Sequence, residues 1–213
     1  MSTKFKIINE ATNLMLEKGY ESVSMNDIAT NVGIAKPTIY HYYKTKEQLF
    51  LEVIQLFFKE GSKWVEAFKD NNTSFRDALL SLFTQMNRTM KYLDQLSNDN
   101  KLKRMGYYFL LFDAFKNLDN IKEQYESSYI KDFEIIKNAI QKAIRKKEIR
   151  EDINWYDFSM AVSSMLEGTM FLSSVCPNLD FKNIETRLFN FVWNNIKYIK
   201  SNDKKRKRNS NRG

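Results

Sequence analysis

Apolar residues recur every three to four positions along nearly the whole chain, and no stretch alternates in the way that marks a strand. Phe5, Ile8, Ala11 and Met15 predict a first helix ending at Gly19. Ser24-Met25-Asn26-Asp27 has the spacing of a capping box and opens a second helix that stops at Gly33. A third covers Lys36 to Tyr43, and Thr45 to Gln48 repeats the capping-box spacing ahead of a long fourth helix running toward Phe68. After a break at Asn71-Asn72-Thr73, Phe75, Leu79, Leu82, Met86, Met90 and Leu93 stripe the next helix, with Ser74 and Asp77 at its start. Ser97 to Asn100 reads as a loop and Leu102 to Phe115 as a helix. Tyr107 to Phe112 is apolar on all sides, which predicts burial on all sides. Three further stripes follow: Tyr125 to Ile144, Trp155 to Thr169 (halted by Pro177) and Ile184 to Ile199. The pattern predicts an all-α chain of about nine helices, the first three short.

The second and third helices carry the residue types that a helix-turn-helix needs. Ala29 supplies the small residue at the helix crossing, and Gly33 the tight turn four residues later. Ile28, Val32, Ile34 and Ile39 stand where they would close the wedge between the two helices. With Ile39 and Tyr43 pointing back at that wedge, Pro37, Thr38, Tyr40 and His41 face outward, and Lys36 and Tyr42 lie at the edges. Such an array of donors and flat rings suits a phosphate backbone and the base edges of a major groove.

Composition narrows the choice of function. The 213 residues are 43% apolar and 28% charged, as in a globular protein. The net charge of +8 is concentrated at the end of the chain, where Lys200 to Gly213 sets seven basic side chains against Asp203. The first fifty residues are nearly neutral, yet positions 33 to 46 hold Lys36, Lys44 and Lys46 with no acid. Cys176 is the lone cysteine and no apolar run is long enough for a membrane span, so a reduced, cytoplasmic setting with no membrane partner is expected. His41 is the sole histidine, so the Glu-x-x-His pairs of a di-iron bundle are absent; no metal, cofactor or enzymatic activity is expected.

The stretch SVSMNDIATNVGIAKPTIYHYYKTKEQLF, preceded by LEKGY, resembles the DNA-binding domain of the TetR family of bacterial transcriptional regulators. The resemblance rests on Gly19-Tyr20, Ile28-Ala29, Gly33-Ile34, Thr38-Ile39-Tyr40 and Lys46-Glu47, and its specific part covers roughly residues 5 to 50. It implies an N-terminal three-helix helix-turn-helix domain (1–46) and a six-helix C-terminal ligand-binding and dimerisation domain (47–200); the composition of residues 201–213 adds a basic disordered tail. It implies DNA contacts from Lys36, Pro37, Thr38, Tyr40, His41, Tyr42 and Lys46, with Lys46 gripping phosphate; Ser24, at the start of the second helix, joins this set. One departure is Ala35, where the family often has a serine that caps the third helix; losing that cap costs about 1 kcal/mol.

By the same resemblance the larger domain encloses a small-molecule pocket. Its candidate lining is Trp64, Met86, Met90, Phe109, Phe112, Tyr125, Tyr129 and Met165, with Glu167 as a charged anchor. Aromatic rings with one acid suit a small apolar or cationic aromatic ligand. The last two helices are expected to pair with a second copy, setting two recognition helices about 34–36 Å apart to read a near-palindromic double-stranded operator. The expected function is a repressor released by its ligand. The alternative is a DNA-binding protein of the same fold that answers to a protein partner.

Overall fold

The computed structural model describes residues 2–95, 100–176 and 178–199, and all side chains within them except those of residues 60, 62, 87, 89, 90, 92–95 and 100–104. The basic tail and the loop before residue 100 therefore lie outside the described residues. Among the described residues ten α-helical segments run in the order α1 (Thr3–Lys18), α2 (Met25–Val32), α3 (Lys36–Tyr42), α4 (Lys46–Ser62), α5 (Glu66–Lys69), α6 (Phe75–Gln95), α7 (Asn100–Asn117), α8 (Ile121–Arg145), α9 (Trp155–Val175) and α10 (Ile184–Ile196). Among the described residues the only β-type pairing is an isolated bridge between Ile149 and Lys197.

The helix ends obey the signals in the sequence. The Ser2 hydroxyl accepts the Phe5 N–H at the start of α1, and Asn154 Oδ1 accepts the N–H groups of Tyr156 and Asp157 at the start of α9. The fourth helix does not run on to Phe68: α4 stops at Ser62, a 3-10 turn covers Lys63–Val65, and α5 is a single turn. Gly61 and Ser62 are weak helix formers, and the break lets Val65 and Phe68 turn into the core.

Two apolar clusters organise the packing. The first joins α1, α2 and α3 to the first half of α4 through Leu49, Phe50, Val53 and Ile54, and also takes in Leu110, Ala114 and Ile121. The second is built from Phe75, Leu79, Phe83 and Met86 of α6 against Ile136 and Ile140 of α8, Val162 and Leu166 of α9, and Phe189 and Val192 of α10. A clasp ties one end of that second cluster. The Arg150 N–H donates to the Ile196 carbonyl at 2.8 Å and the Tyr198 N–H to the Glu148 carbonyl at 3.0 Å. The Glu148 carboxylate accepts the Phe75 N–H at 2.7 Å, capping α6.

Helix α7 serves both clusters. Leu110 and Ala114 are buried in the first cluster, while Tyr107 and Tyr108 pack against the second. Near its start α7 meets α1 backbone to backbone. A Cβ on Gly106 would overlap the Leu16 carbonyl oxygen and stand 3.1 Å from its carbon and 3.3 Å from the Leu16 Cα. The expected all-round burial of Tyr107 to Phe112 does not hold, since Phe109 and Phe112 are 58% and 64% exposed. They are one turn apart on the helix face opposite Leu110 and Ala114, so a run of six apolar residues does not by itself bury both faces.

Candidate DNA-reading surface and interior cavity

The turn between α2 and α3 is set by Gly33, which adopts the left-handed conformation (φ 77°, ψ 36°). Its N–H bonds to the Thr30 carbonyl at 3.1 Å, and the Ile34 N–H reaches back to Ala29 at 3.0 Å. Ile28, Ala29 and Ile39 are almost fully buried at the helix crossing, and Tyr43 is buried behind them. The opposite side of α3 is open: Lys36, Pro37, Tyr40, His41 and Tyr42 are exposed and Thr38 is half-buried. His41 and Tyr42 stand edge to face with their rings 5.6 Å apart. Helix α3 starts without a capping side chain at Ala35.

Ser24 and Asp27 form a complete capping box. The Asp27 N–H donates to Ser24 Oγ at 3.1 Å, while the Ser24 N–H and hydroxyl donate to Asp27 Oδ2 at 2.8 and 2.6 Å. These bonds hold the Asp27 carboxyl below the usual carboxylate range.

Behind this surface lies a joint centred on Tyr20. Its ring stacks on Phe50 at 4.2 Å, its N–H donates to Asp113 Oδ2 of α7 at 3.2 Å, and its hydroxyl donates to Glu47 of α4 at 3.2 Å. Burial, with the Glu47 charge beside it, pushes the Tyr20 phenol up to about 12. The Lys46 ammonium donates to the Tyr20 carbonyl at 2.9 Å and sits 4.0 Å over the Tyr20 ring. On the other flank Tyr43 donates to Glu52 at 2.8 Å, and Lys4 of α1 pairs with the same carboxylate at 2.9 Å.

Between α4, α7, α8 and α9 lies an interior cavity of about 70 Å³. Phe57, Phe58, Trp64, Tyr107, Tyr125, Tyr129 and Phe133 form its aromatic wall, and Asp132 and Glu167 are its acids; no lysine or arginine lines it. The rings of Tyr125 and Tyr129 meet edge to face 5.2 Å apart, and Tyr125 also contacts Phe58 and Phe115. The Tyr129 hydroxyl donates to Glu167 Oε1 at 2.9 Å, and that of Tyr108 to the Glu167 backbone carbonyl at 3.3 Å. Burial raises the Glu167 carboxyl above its ordinary range, against the opposing pull of the Tyr129 hydrogen bond. Burial likewise pushes the Asp132 carboxyl up to about 6, with Lys69 opposing the shift and Glu66 adding to it.

Residues 7–53 match the family model for bacterial regulatory proteins of the tetR family, a span that begins in α1 and ends in α4 and contains the whole helix-turn-helix. That segment is a TetR-family DNA-binding domain. Among curated relatives, the chain is 30% identical over 100 residues to the transcriptional regulator QacR of Staphylococcus aureus, covering 46% of the chain and 52% of QacR. It is 31% identical over 80 residues to IcaR of Staphylococcus epidermidis, a negative regulator of the biofilm operon icaADBC, covering 38% and 43%. The chain thus spans about half the length of the curated relatives it matches. A transcriptional regulator from Saccharomonospora viridis, crystallised with choline, shares the fold, with a TM-score of 0.71 at 17% identity over 92% of this chain and 98% of that one.

Against this TetR frame the expected site residues divide. Ser24 is exposed, but its hydroxyl is committed to the capping box. Lys46, expected to grip phosphate, is half-buried and has its ammonium bound to the Tyr20 carbonyl within the joint. Of the expected pocket residues, Trp64, Tyr125, Tyr129 and Glu167 line the cavity. Met86 does not, being fully buried among the core residues of α6, and Met165 packs half-buried against the same core. Phe109 and Phe112 turn away from the cavity onto the open face of α7. The Met90 side chain lies outside the described residues. Sequence reasoning missed Phe57, Phe58, Tyr107, Asp132 and Phe133. Asp132 had a signal: it lies seven residues after Tyr125 and three after Tyr129, on the face of the aromatic stripe. Among the described residues no cluster of metal-ligating side chains occurs, and no helix is long and apolar enough to cross a membrane.

Proposed function

We propose that the chain is a cytoplasmic, non-enzymatic repressor that binds a near-palindromic DNA operator as a homodimer and releases it when a small apolar or cationic aromatic ligand fills the interior cavity. Residues 1–46 form the DNA-reading unit and 47–200 the ligand-binding and pairing unit, with the basic tail adding charge. The observation that carries this reading is α3 itself, anchored by buried Ile39 and Tyr43 and open along Lys36, Pro37, Thr38, Tyr40, His41 and Tyr42. Exposed Phe171, Leu172 and Val175 on α9 and Phe191 on α10 support pairing, as does the open space beside Gly168.

Size and connection support release by a ligand. A cavity of about 70 Å³ holds about two waters, whereas pockets for ligands of ordinary size measure about 300 Å³ or more. Filling it therefore demands that its walls move. Tyr107 in that wall belongs to α7, which also touches α1 at Gly106 and holds the Tyr20 N–H through Asp113. A ligand that reshapes the wall favours a different placement of the DNA-reading unit, and by reciprocity DNA weakens the ligand. The acids and rings of the cavity suit a cation, and the Saccharomonospora viridis regulator is crystallised with choline, so the architecture admits an organic cation.

Selection from random duplex DNA is expected to recover a site with two half-sites about 10 bp apart, or a multiple of that. On that site Tyr40→Ala is expected to cost about 1–3 kcal/mol and relax preference at one position, whereas Lys36→Ala weakens all sequences alike. Recovery of no enriched sequence would refute the reading.

A further inference from the structure

Two open grooves adjoin the interior cavity, one on each side of α8. The groove between α8 and α9 measures about 430 Å³ and shares Tyr129, Phe133, Ser163 and Glu167 with the cavity lining. The groove between α4 and α8 is larger, about 570 Å³, but shares only Phe58 and Ser128. Size alone would favour the second as the way in. Charge favours the first. The α4–α8 groove carries Lys59 and Lys131 against Glu123, whereas the α8–α9 groove carries Glu126 and Glu167 and no basic residue. An approaching cation is drawn to the acidic mouth and repelled from the basic one.

The α8–α9 groove and the cavity meet at these four shared residues. The hydrogen bond from Tyr129 to Glu167 spans the two helices at 2.9 Å, and both residues face both spaces. Beside this pair and Glu126, the groove offers the apolar side chains of Ile130, Tyr156 and Met160, all substantially exposed.

We infer that groove and cavity are the two halves of one binding site, entered between α8 and α9 by parting the Tyr129–Glu167 pair, for an amphiphilic organic cation. Its charged head settles by Glu167 and Asp132, and its apolar arm stays in the groove on Ile130, Tyr156 and Met160. The inference rests on the ligand-release reading above and adds the route, the gate and the shape of the ligand. A site in two halves also explains how so small a cavity serves a larger molecule: only the head need enter.

Stopped-flow fluorescence of the full chain with the rod-shaped probe TMA-DPH, a diphenylhexatriene bearing a trimethylammonium head, and with its uncharged parent DPH tests this. TMA-DPH is expected to bind at least about tenfold more tightly than DPH. Ser164→Trp, which fills the α8–α9 groove, is expected to slow TMA-DPH association about tenfold or more, and Ser127→Trp, which fills the α4–α8 groove, to leave it unchanged. Tyr129→Phe, which removes the hydroxyl of the gate with little change of shape, is expected to speed both association and dissociation. Binding that is slowed by Ser127→Trp and not by Ser164→Trp overturns the route while leaving a ligand-binding cavity in place; so does Tyr129→Phe with unaltered rates. Equal affinity for DPH overturns the cationic class. Absence of binding by either probe overturns the inference together with the ligand-release reading.

Discussion

Replacing Gly106 by alanine sets two well-measured effects against each other with opposite signs. In a helix interior Gly→Ala stabilises by about 1 kcal/mol, because glycine loses more backbone freedom on folding. At this position the new methyl group would overlap the Leu16 carbonyl oxygen and press on the carbon and Cα behind it. Those are backbone atoms of α1 and cannot swing aside, so α1 and α7 must separate by about 1 Å to restore ordinary contact. Overpacking of this kind costs about 1–3 kcal/mol, and with rigid backbone on both sides the upper half of that range applies. The expected outcome is a net loss of about 1–2 kcal/mol, read as a lowered urea midpoint at unchanged slope. A second readout follows if α7 links cavity and DNA: the displaced helix is expected to alter operator affinity in the absence of any ligand. A variant more stable than the parent by about 1 kcal/mol would show that the helices are not in contact at Gly106, and the link through α7 would fall with it.

Four further outcomes are expected. Asp132 has a folded pKa raised to about 6, so its burial favours the protonated form; stability is highest below the unfolded value near 4 and is lost as pH rises through about 6. That shift corresponds to about 3 kcal/mol, reduced to about 1–2 kcal/mol because solvent reaches part of the group; Asp132→Asn is therefore expected to stabilise by that amount at pH 7–8 and hardly at all at pH 4 in urea titrations, and an equal effect at both would contradict it. Ala35→Ser supplies the missing cap of α3 and is expected to raise stability by about 0.5–1 kcal/mol, while Ser24→Ala dismantles the α2 box and costs about 1 kcal/mol, both by thermal denaturation. Lys46→Met removes a charged donor from the Tyr20 carbonyl and is expected to cost about 1–2 kcal/mol of stability; a loss of DNA affinity at unchanged stability would instead restore Lys46 to the DNA surface.

The DNA-reading unit was legible in the chain because its signals are local. Ser24 with Asp27, Ala29 with Gly33, and Ile39 with Tyr43 are each separated by no more than four residues, and short-range chemistry decides their geometry. The cavity was only half legible. Tyr125 and Tyr129 could be found from their stripe and Glu167 from the resemblance, but which face of α7 is buried depends on partners distant in sequence, α1 and α9 among them. Phe109 and Phe112 are indistinguishable from Leu110 and Leu111 by hydropathy, so composition alone could not say which pair faces outward. The bond from Lys46 to a carbonyl 26 residues earlier was not legible either, because no local pattern announces it.

The clasp around Glu148 and Ile149 has a mechanical consequence. Helix α8 is about 37 Å long, with Arg145 near the clasp and Ile121 embedded in the apolar cluster that α1–α3 share with α4 and α7. Since the ends of α6, α8 and α10 are laced together at one extremity, prying the helices apart in the middle cannot widen that extremity. On the proposed ligand-release reading the bundle is a clothes-peg held at its spring, and a displacement imposed by the ligand is expected to emerge at the free jaws, beside Tyr20.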